Sequence, residues 1–164
     1  MELARQMLAA NAAYAAGHGP LQLATQPTKQ LAVVTCMDSR IDAFAALGLS
    51  LGEAHILRNA GGVVTDDTIR SITLSQRALG TRHIILIHHT RCGLLGVDES
   101  QFRQDMFNET GMKPPWSLEA FNELETDIRS SIKRVKTSPY LLHRDSVAGL
   151  ILDVDSGRLT LVED

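Results

Sequence analysis

Residues 82–89, Arg-His-Ile-Ile-Leu-Ile-His-His, leave this chain the fewest options. Four consecutive apolar residues, mostly β-branched and without polar alternation, read as a strand covered on both faces. Such strands belong in parallel sheets with helices packed against them. Leu31-Ala-Val-Val-Thr-Cys36 repeats the signature, and Ala54-His-Ile-Leu-Arg58 gives a further strand that stops at the Gly61-Gly62 pair. Between these strands lie segments of helical period. A short helix is predicted near residues 41–47, ending at Gly48. Another starts from Thr65 or Asp66 as N-cap, carries Ile69, Ile72 and Leu79 on one face, and meets Gly80 as its terminator.

Residues 2–16 place Leu3, Met7, Ala10 and Tyr14 at helical spacing in an alanine-rich stretch that Gly17 and Gly19 break. The second half predicts a helix over 99–110, a break at Pro114-Pro115, and a long helix capped by Ser117. Its apolar stripe is Leu118, Phe121, Leu124, Ile128, Ile132 and Val135, and Ser138-Pro139 ends it. Residues 147–154 and 158–162 read as a terminal hairpin turning at Asp155-Ser-Gly157. Alternating strands and helices imply an α/β fold: a mainly parallel central β-sheet with an antiparallel edge strand, flanked by helices. At 164 residues, 1–164 is the size of one domain, with no internal repeat.

A net charge of -3 gives no electrostatic footprint for nucleic acid, and no stretch approaches the ~18 apolar residues that cross a bilayer. With no leader pattern at the N-terminus, the expected location is cytoplasmic and the expected partner a small molecule. Only two cysteines occur, Cys36 and Cys92, each beside other potential metal ligands. A lone cysteine is more often a buried apolar thiol than a ligand; here Asp38, Arg40 and His89 alter that balance. A redox pair lacks a Cys-x-x-Cys motif, and Gly61-Gly62 lacks the rest of a phosphate-binding loop.

Cys36, Asp38 and Arg40 follow the first strand, while His89 and Cys92 close the third. If those strands are parallel neighbours, both groups arrive at the carboxyl edge of the sheet, where sites gather. Two thiolates and one imidazole make a zinc set with an open fourth position. Asp38 can serve a metal-bound hydroxide or take the fourth position itself in a closed, water-free state, and Arg40 can hold its carboxylate as a bidentate pair. Adjacent strand residues face opposite ways, so His88 and His89 cannot both reach the metal; the His-x-x-Cys spacing selects His89. His18, His55, His83 and His143 have no motif and read as structural or exposed.

Cys-Met-Asp-Ser-Arg at 36–40, Arg-Asn-Ala-Gly at 58–61 and His-Thr-Arg-Cys-Gly at 89–93 resemble, in order and separation, the signatures of β-class carbonic anhydrases. The resemblance implies a zinc enzyme with Cys36, His89 and Cys92 as metal ligands, and Asp38 and Arg40 as a catalytic dyad. It also implies a homodimer or higher homo-oligomer whose active-site cleft lies near the subunit interface. The stripe on residues 1–16 offers a surface for that partner. Against the family pattern, Met37 stands where Ser or Ala is common, His88 where Gly is, and Leu94 where a small residue is. Pro27 replaces a Gln expected shortly before the first cysteine. A pocket more apolar than usual follows, as in a short divergent branch that includes carbonyl sulfide and carbon disulfide hydrolases.

The expected activity is hydration of carbon dioxide to bicarbonate by metal-bound hydroxide. Two alternatives stay open at this point. One is hydrolysis of carbonyl sulfide or carbon disulfide at the same zinc, and the other is a non-catalytic zinc protein closed by Asp38.

Overall fold

The computed structural model describes residues 1–19 and 21–163. Its centre is a five-stranded sheet of β1 (Leu31–Cys36), β2 (Ala54–Asn59), β3 (His83–His89), β4 (Val147–Leu152) and β5 (Leu159–Val162), in the order β2-β1-β3-β4-β5. The first four strands pair in parallel, and only β5 is antiparallel, against β4. β1 and β3 occupy the middle, paired from Leu31 against His83 to Thr35 against Ile87. That placement explains their composition: every residue of β1 is buried, as a strand with neighbours on both edges and cover on both faces requires.

The helices are α1 (Glu2–Ala16), α2 (Ala43–Leu47), α3 (Asp66–Arg77), α4 (Glu99–Thr110) and α5 (Leu124–Thr137). α3 and α5 cover one sheet face, where Ile69, Ile72, Ile128, Ile132 and Val135 pack with Val34, Ile84 and Leu86. On the other face, Leu31, Val33 and Ile87 pack with Ala43, Phe121, Cys36 and Cys92. Ile56, Ile85, Leu150 and Leu159 there stay only half-buried. Neither α1 nor α4 buries any residue. Among the described residues no helix is long and apolar enough to cross a membrane.

Most predicted elements lie where the sequence places them; the differences are local. Thr65, not Asp66, caps α3, accepting from the Thr68 N–H, and the helix ends at Arg77, leaving Leu79 just beyond it. α2 starts at Ala43, because Asp42 accepts the Ala45 N–H and so ends the preceding turn. The larger departure is α5. Ser117 does not cap it, and Leu118 and Phe121 lie ahead of it in irregular chain. Ser117 Oγ instead donates to Glu99, Glu119 takes a positive φ of 59°, and Phe121 bridges to Leu95 as a single parallel pair. The helical spacing of those two side chains comes from a bend that delivers Phe121 to the core, not from a helix.

The link from β2 to α3 is a 3-10 turn at Ala60–Gly62. Gly62 has φ of 72°, and a Cβ there would lie 2.9 Å from Cys36 N, Ile87 O and Thr35 C, all backbone atoms of the two central strands. Gly62→Ala combines left-handed strain with overpacking that nothing flexible can relieve. It should destabilise the protein by roughly 2–4 kcal/mol, read as a lower urea midpoint with an unchanged slope.

Candidate metal centre

β1 ends at Cys36, and the next residue keeps the ladder going for one bond, Met37 N–H to Asn59 O at 2.8 Å. The chain then turns. Asp38 points its carboxylate back toward the sheet edge, where Oδ1 accepts the Arg40 backbone N–H at 3.0 Å and Nε at 2.9 Å, and Oδ2 accepts a terminal nitrogen at 2.6 Å. The same Arg40 nitrogen donates to the Arg91 carbonyl at 3.0 Å, tying the turn after β1 to the turn after β3. Arg58 at the end of β2 adds bonds to the carbonyls of Cys36 and Asp38.

From β3, His88 and His89 leave on opposite faces, as strand geometry demands. His88 is fully buried, with Nε2 2.6 Å from Asp127 Oδ2 on α5 and its ring stacked on Phe121. His89 is also fully buried, and its Nδ1 lies 2.9 Å from the Thr90 carbonyl. A carbonyl can only accept, so Nδ1 carries the proton and Nε2 is left with a lone pair. Among the described residues Nε2 has no hydrogen-bond partner, a costly state for a buried polar atom unless something else uses it.

Cys36 Sγ, His89 Nε2 and Cys92 Sγ lie within 4.8 Å of one another, and all three residues are buried. Two sulfurs and a bare imidazole nitrogen, with the other ring nitrogen anchored to a carbonyl, are the donor set and the outer support that zinc takes. The residues fit such an ion. Burial acts to raise the Cys36 thiol pKa, but in the protein without an ion the His89 ring, when it carries the positive charge that lets it donate to the sulfur, and the backbone N–H groups of Asp38 and Gly61 more than offset it, bringing it to about 7. Burial, reinforced by the neighbouring Cys36, pushes the Cys92 thiol up. Hydrogen bonds from Arg40 hold the Asp38 carboxyl well below the usual carboxylate range. Asp38 is therefore an anion near neutral pH, and its Oδ2 lies 3.9 Å from His89 Nε2.

The cluster opens into a cavity of about 260 Å³ lined by Cys36, Met37, Asp38, Gly61, Cys92 and Leu94, among others. Gly61 takes a positive φ of 77° there, a backbone conformation that an L side chain would strain, and a Cβ would crowd the Leu94 side chain. Pro27 is buried elsewhere and does not line this cavity. A larger cavity of about 490 Å³ lies by Thr65, Trp116 and Arg134. Its Arg134 is already paired with Asp66 and Glu119, so it offers no free donor set of this kind.

All five residues selected from sequence thus meet at one edge of the sheet. His55 and His83 are held by Ser75 and Ser146, consistent with structural roles. Sequence reasoning passed over the pairing of buried His88 with half-buried Asp127, and the Arg58 bonds. The first spans 39 positions without a motif. The second goes to main-chain carbonyls, which leave no trace in residue identity.

Known proteins resemble this chain throughout. The carbonic anhydrase family pattern matches residues 31–159. Beta-carbonic anhydrase 1 of Mycobacterium tuberculosis is 45% identical over 163 residues, covering 99% of both chains. The crystal structure of a carbonic anhydrase from Streptococcus mutans superposes with a TM-score of 0.93 at 40% identity, again over 99% of each chain. A carbon disulfide hydrolase of Acidithiobacillus thiooxidans is 28% identical over 159 residues, covering 84% of this chain and 79% of its own. Sheet order, site geometry and these likenesses agree: the chain belongs to the β-carbonic anhydrase family of enzymes.

Proposed function

We propose that the protein hydrates carbon dioxide to bicarbonate with a zinc ion held by Cys36, His89 and Cys92. The observation that carries this is the buried, unpartnered His89 Nε2 converging with two thiols beside an ionised Asp38. A bound zinc ion supplies Lewis acidity, which makes a water nucleophilic near neutral pH. The protein's own groups do the rest. Asp38 accepts a hydrogen bond from the attacking oxygen and so fixes its direction, while three bonds from Arg40 stop the carboxylate from turning away. Those same bonds argue against a purely structural ion closed by Asp38. Met37 and Leu94 give the cavity apolar surface suited to a small linear electrophile.

That apolar lining also favours a second reading, hydrolysis of carbon disulfide or carbonyl sulfide at the same site. The relative from Acidithiobacillus thiooxidans, named carbon disulfide hydrolase, supports it. Assembly as a homodimer or higher homo-oligomer is part of the proposal. α1 exposes Leu3, Met7, Leu8 and Tyr14, and an isolated helix of this length is marginal in water, so a second copy is the natural cover. The proposed location is the cytoplasm.

Purified protein should contain one zinc per chain by elemental analysis, and Cys36→Ser or Cys92→Ser should each lose it. Both thiols release a proton to bind the ion, so affinity should weaken as pH falls through the neutral range, where Cys92 is already protonated in the free protein, and more steeply below about 7, where Cys36 also regains its proton. Retention of full zinc by either variant would refute the ligand set.

Side-by-side assays on carbon dioxide, carbonyl sulfide and carbon disulfide should show carbon dioxide as the preferred substrate. Asp38→Asn should keep its zinc yet turn over ~100-fold more slowly. Preference for a sulfur substrate would establish the second reading, and full activity in Asp38→Asn would remove Asp38 from the mechanism. Deleting residues 1–16 should convert the oligomer to a smaller species in sedimentation and lower activity; a fully active, unchanged assembly would contradict the role given to α1.

A further inference from the structure

Arg58 opens the Arg-Asn-Ala-Gly segment, and nothing in the chemistry above uses it. Its Nε donates to the Cys36 carbonyl at 3.0 Å, and a terminal nitrogen donates to the Asp38 carbonyl at 2.6 Å. One planar fork therefore spans the three residues that carry a thiol donor at one end and the carboxylate at the other. Arg40 grips the Asp38 side chain, whereas Arg58 grips the main chain that bears it. Among the described residues, the turn is otherwise tied to β2 by one bond, Met37 N–H to Asn59 O. The Asp38 carbonyl also accepts from Ile41 N–H, within the same turn.

We propose that Arg58 is a positioning residue that keeps the Asp38 carboxylate beside the metal position and not on it. The inference rests on the reading of Cys36, His89 and Cys92 as ligands. Asp38 Oδ2 already stands 3.9 Å from His89 Nε2, and a small rotation of the turn would carry it toward the fourth position and exclude water. Two carbonyls held two residues apart oppose that rotation. Lysine can substitute only in part, because an ammonium is a point donor without the fork and cannot hold both carbonyls at once in this geometry. Arg58 is itself exposed, and hydrogen bonds at an exposed site contribute little to global stability, so its effect should appear locally.

The test uses cobalt(II) in place of zinc, in the full-length wild type, Arg58→Lys and Arg58→Met, with azide as the probe of the fourth position. Visible absorption at one fixed pH should respond to azide in the wild type. Arg58→Met should bind cobalt fully and melt close to wild type, yet need at least ~10-fold more azide for the same spectral change. Its zinc form should lose ~10-fold or more in kcat for carbon dioxide with little change in KM. Arg58→Lys should fall between, and it decides alone if Arg58→Met does not fold. Wild-type spectra and azide midpoints in the folded variants overturn the proposal, as does a lowered melting temperature with an unchanged midpoint. A wild type that takes up no cobalt defeats the metal reading itself and the proposal with it, so the two failures are distinguishable.

Discussion

The parallel pairing of β1 with β3 is the contact on which the rest of the molecule depends. Because the strands run in register from Leu31 against His83 to Thr35 against Ile87, they finish side by side at the same sheet edge. Cys36 ends one of them, His89 ends the other, and Cys92 follows three residues later. A one-residue slip would reverse which histidine faces the two thiols, putting His88 in the place of His89. Burial on both faces prevents that slip: Val33 and Ile87 serve one core cluster, Val34 and Leu86 the other, and neither set can change sides cheaply. Gly62 then lets the backbone after β2 close on both strands at van der Waals range, locking their ends together.

On this frame the electrostatics are arranged in layers. The innermost layer is two thiols and a histidine nitrogen in a buried space, an arrangement that leaves His89 Nε2 without a hydrogen-bond partner. Around it, the Thr90 carbonyl fixes the histidine tautomer, and backbone N–H groups of Asp38 and Gly61 lower the Cys36 pKa. Outside that, Arg40 joins the Asp38 carboxylate to the Arg91 carbonyl, while Arg58 joins the Asp38 and Cys36 carbonyls to β2. Each strand-end turn is thus held by side chains from a neighbouring segment. Positioning to within a fraction of an ångström is what separates a reactive site from a merely occupied one.

The parts legible in the sequence were those written in side-chain pattern. The apolar runs at β1 and β3 gave their limits almost to the residue, since a doubly covered strand keeps its polar residues few and near its ends. The three donors and the Asp38–Arg40 pair were legible because their chemistry is local to strand ends. Phe121 misled, because a core contact made from an irregular bend can share the spacing of a helix face. Arg58 was invisible in its role, because it works on carbonyls that every residue possesses. The exposed stripe of α1 was legible as a surface for a partner, whereas α4 was not legible as a helix that buries none of its residues: its ties to the rest of the chain are contacts such as Glu99 with Ser117 and Arg103 with the Pro114 carbonyl.

Strand pairing brings two sulfurs and one nitrogen together, and the proposed function requires that they hold zinc with its fourth position open to a light atom. X-ray absorption at the zinc edge measures this directly. The expected spectrum has two sulfur scatterers at ~2.3 Å and two nitrogen or oxygen scatterers at ~2.0–2.1 Å, one of them the imidazole with its outer-ring signature. A shell with fewer than two sulfurs, or one made of oxygen alone, would contradict it, because the ion would then lie away from the ends of β1 and β3.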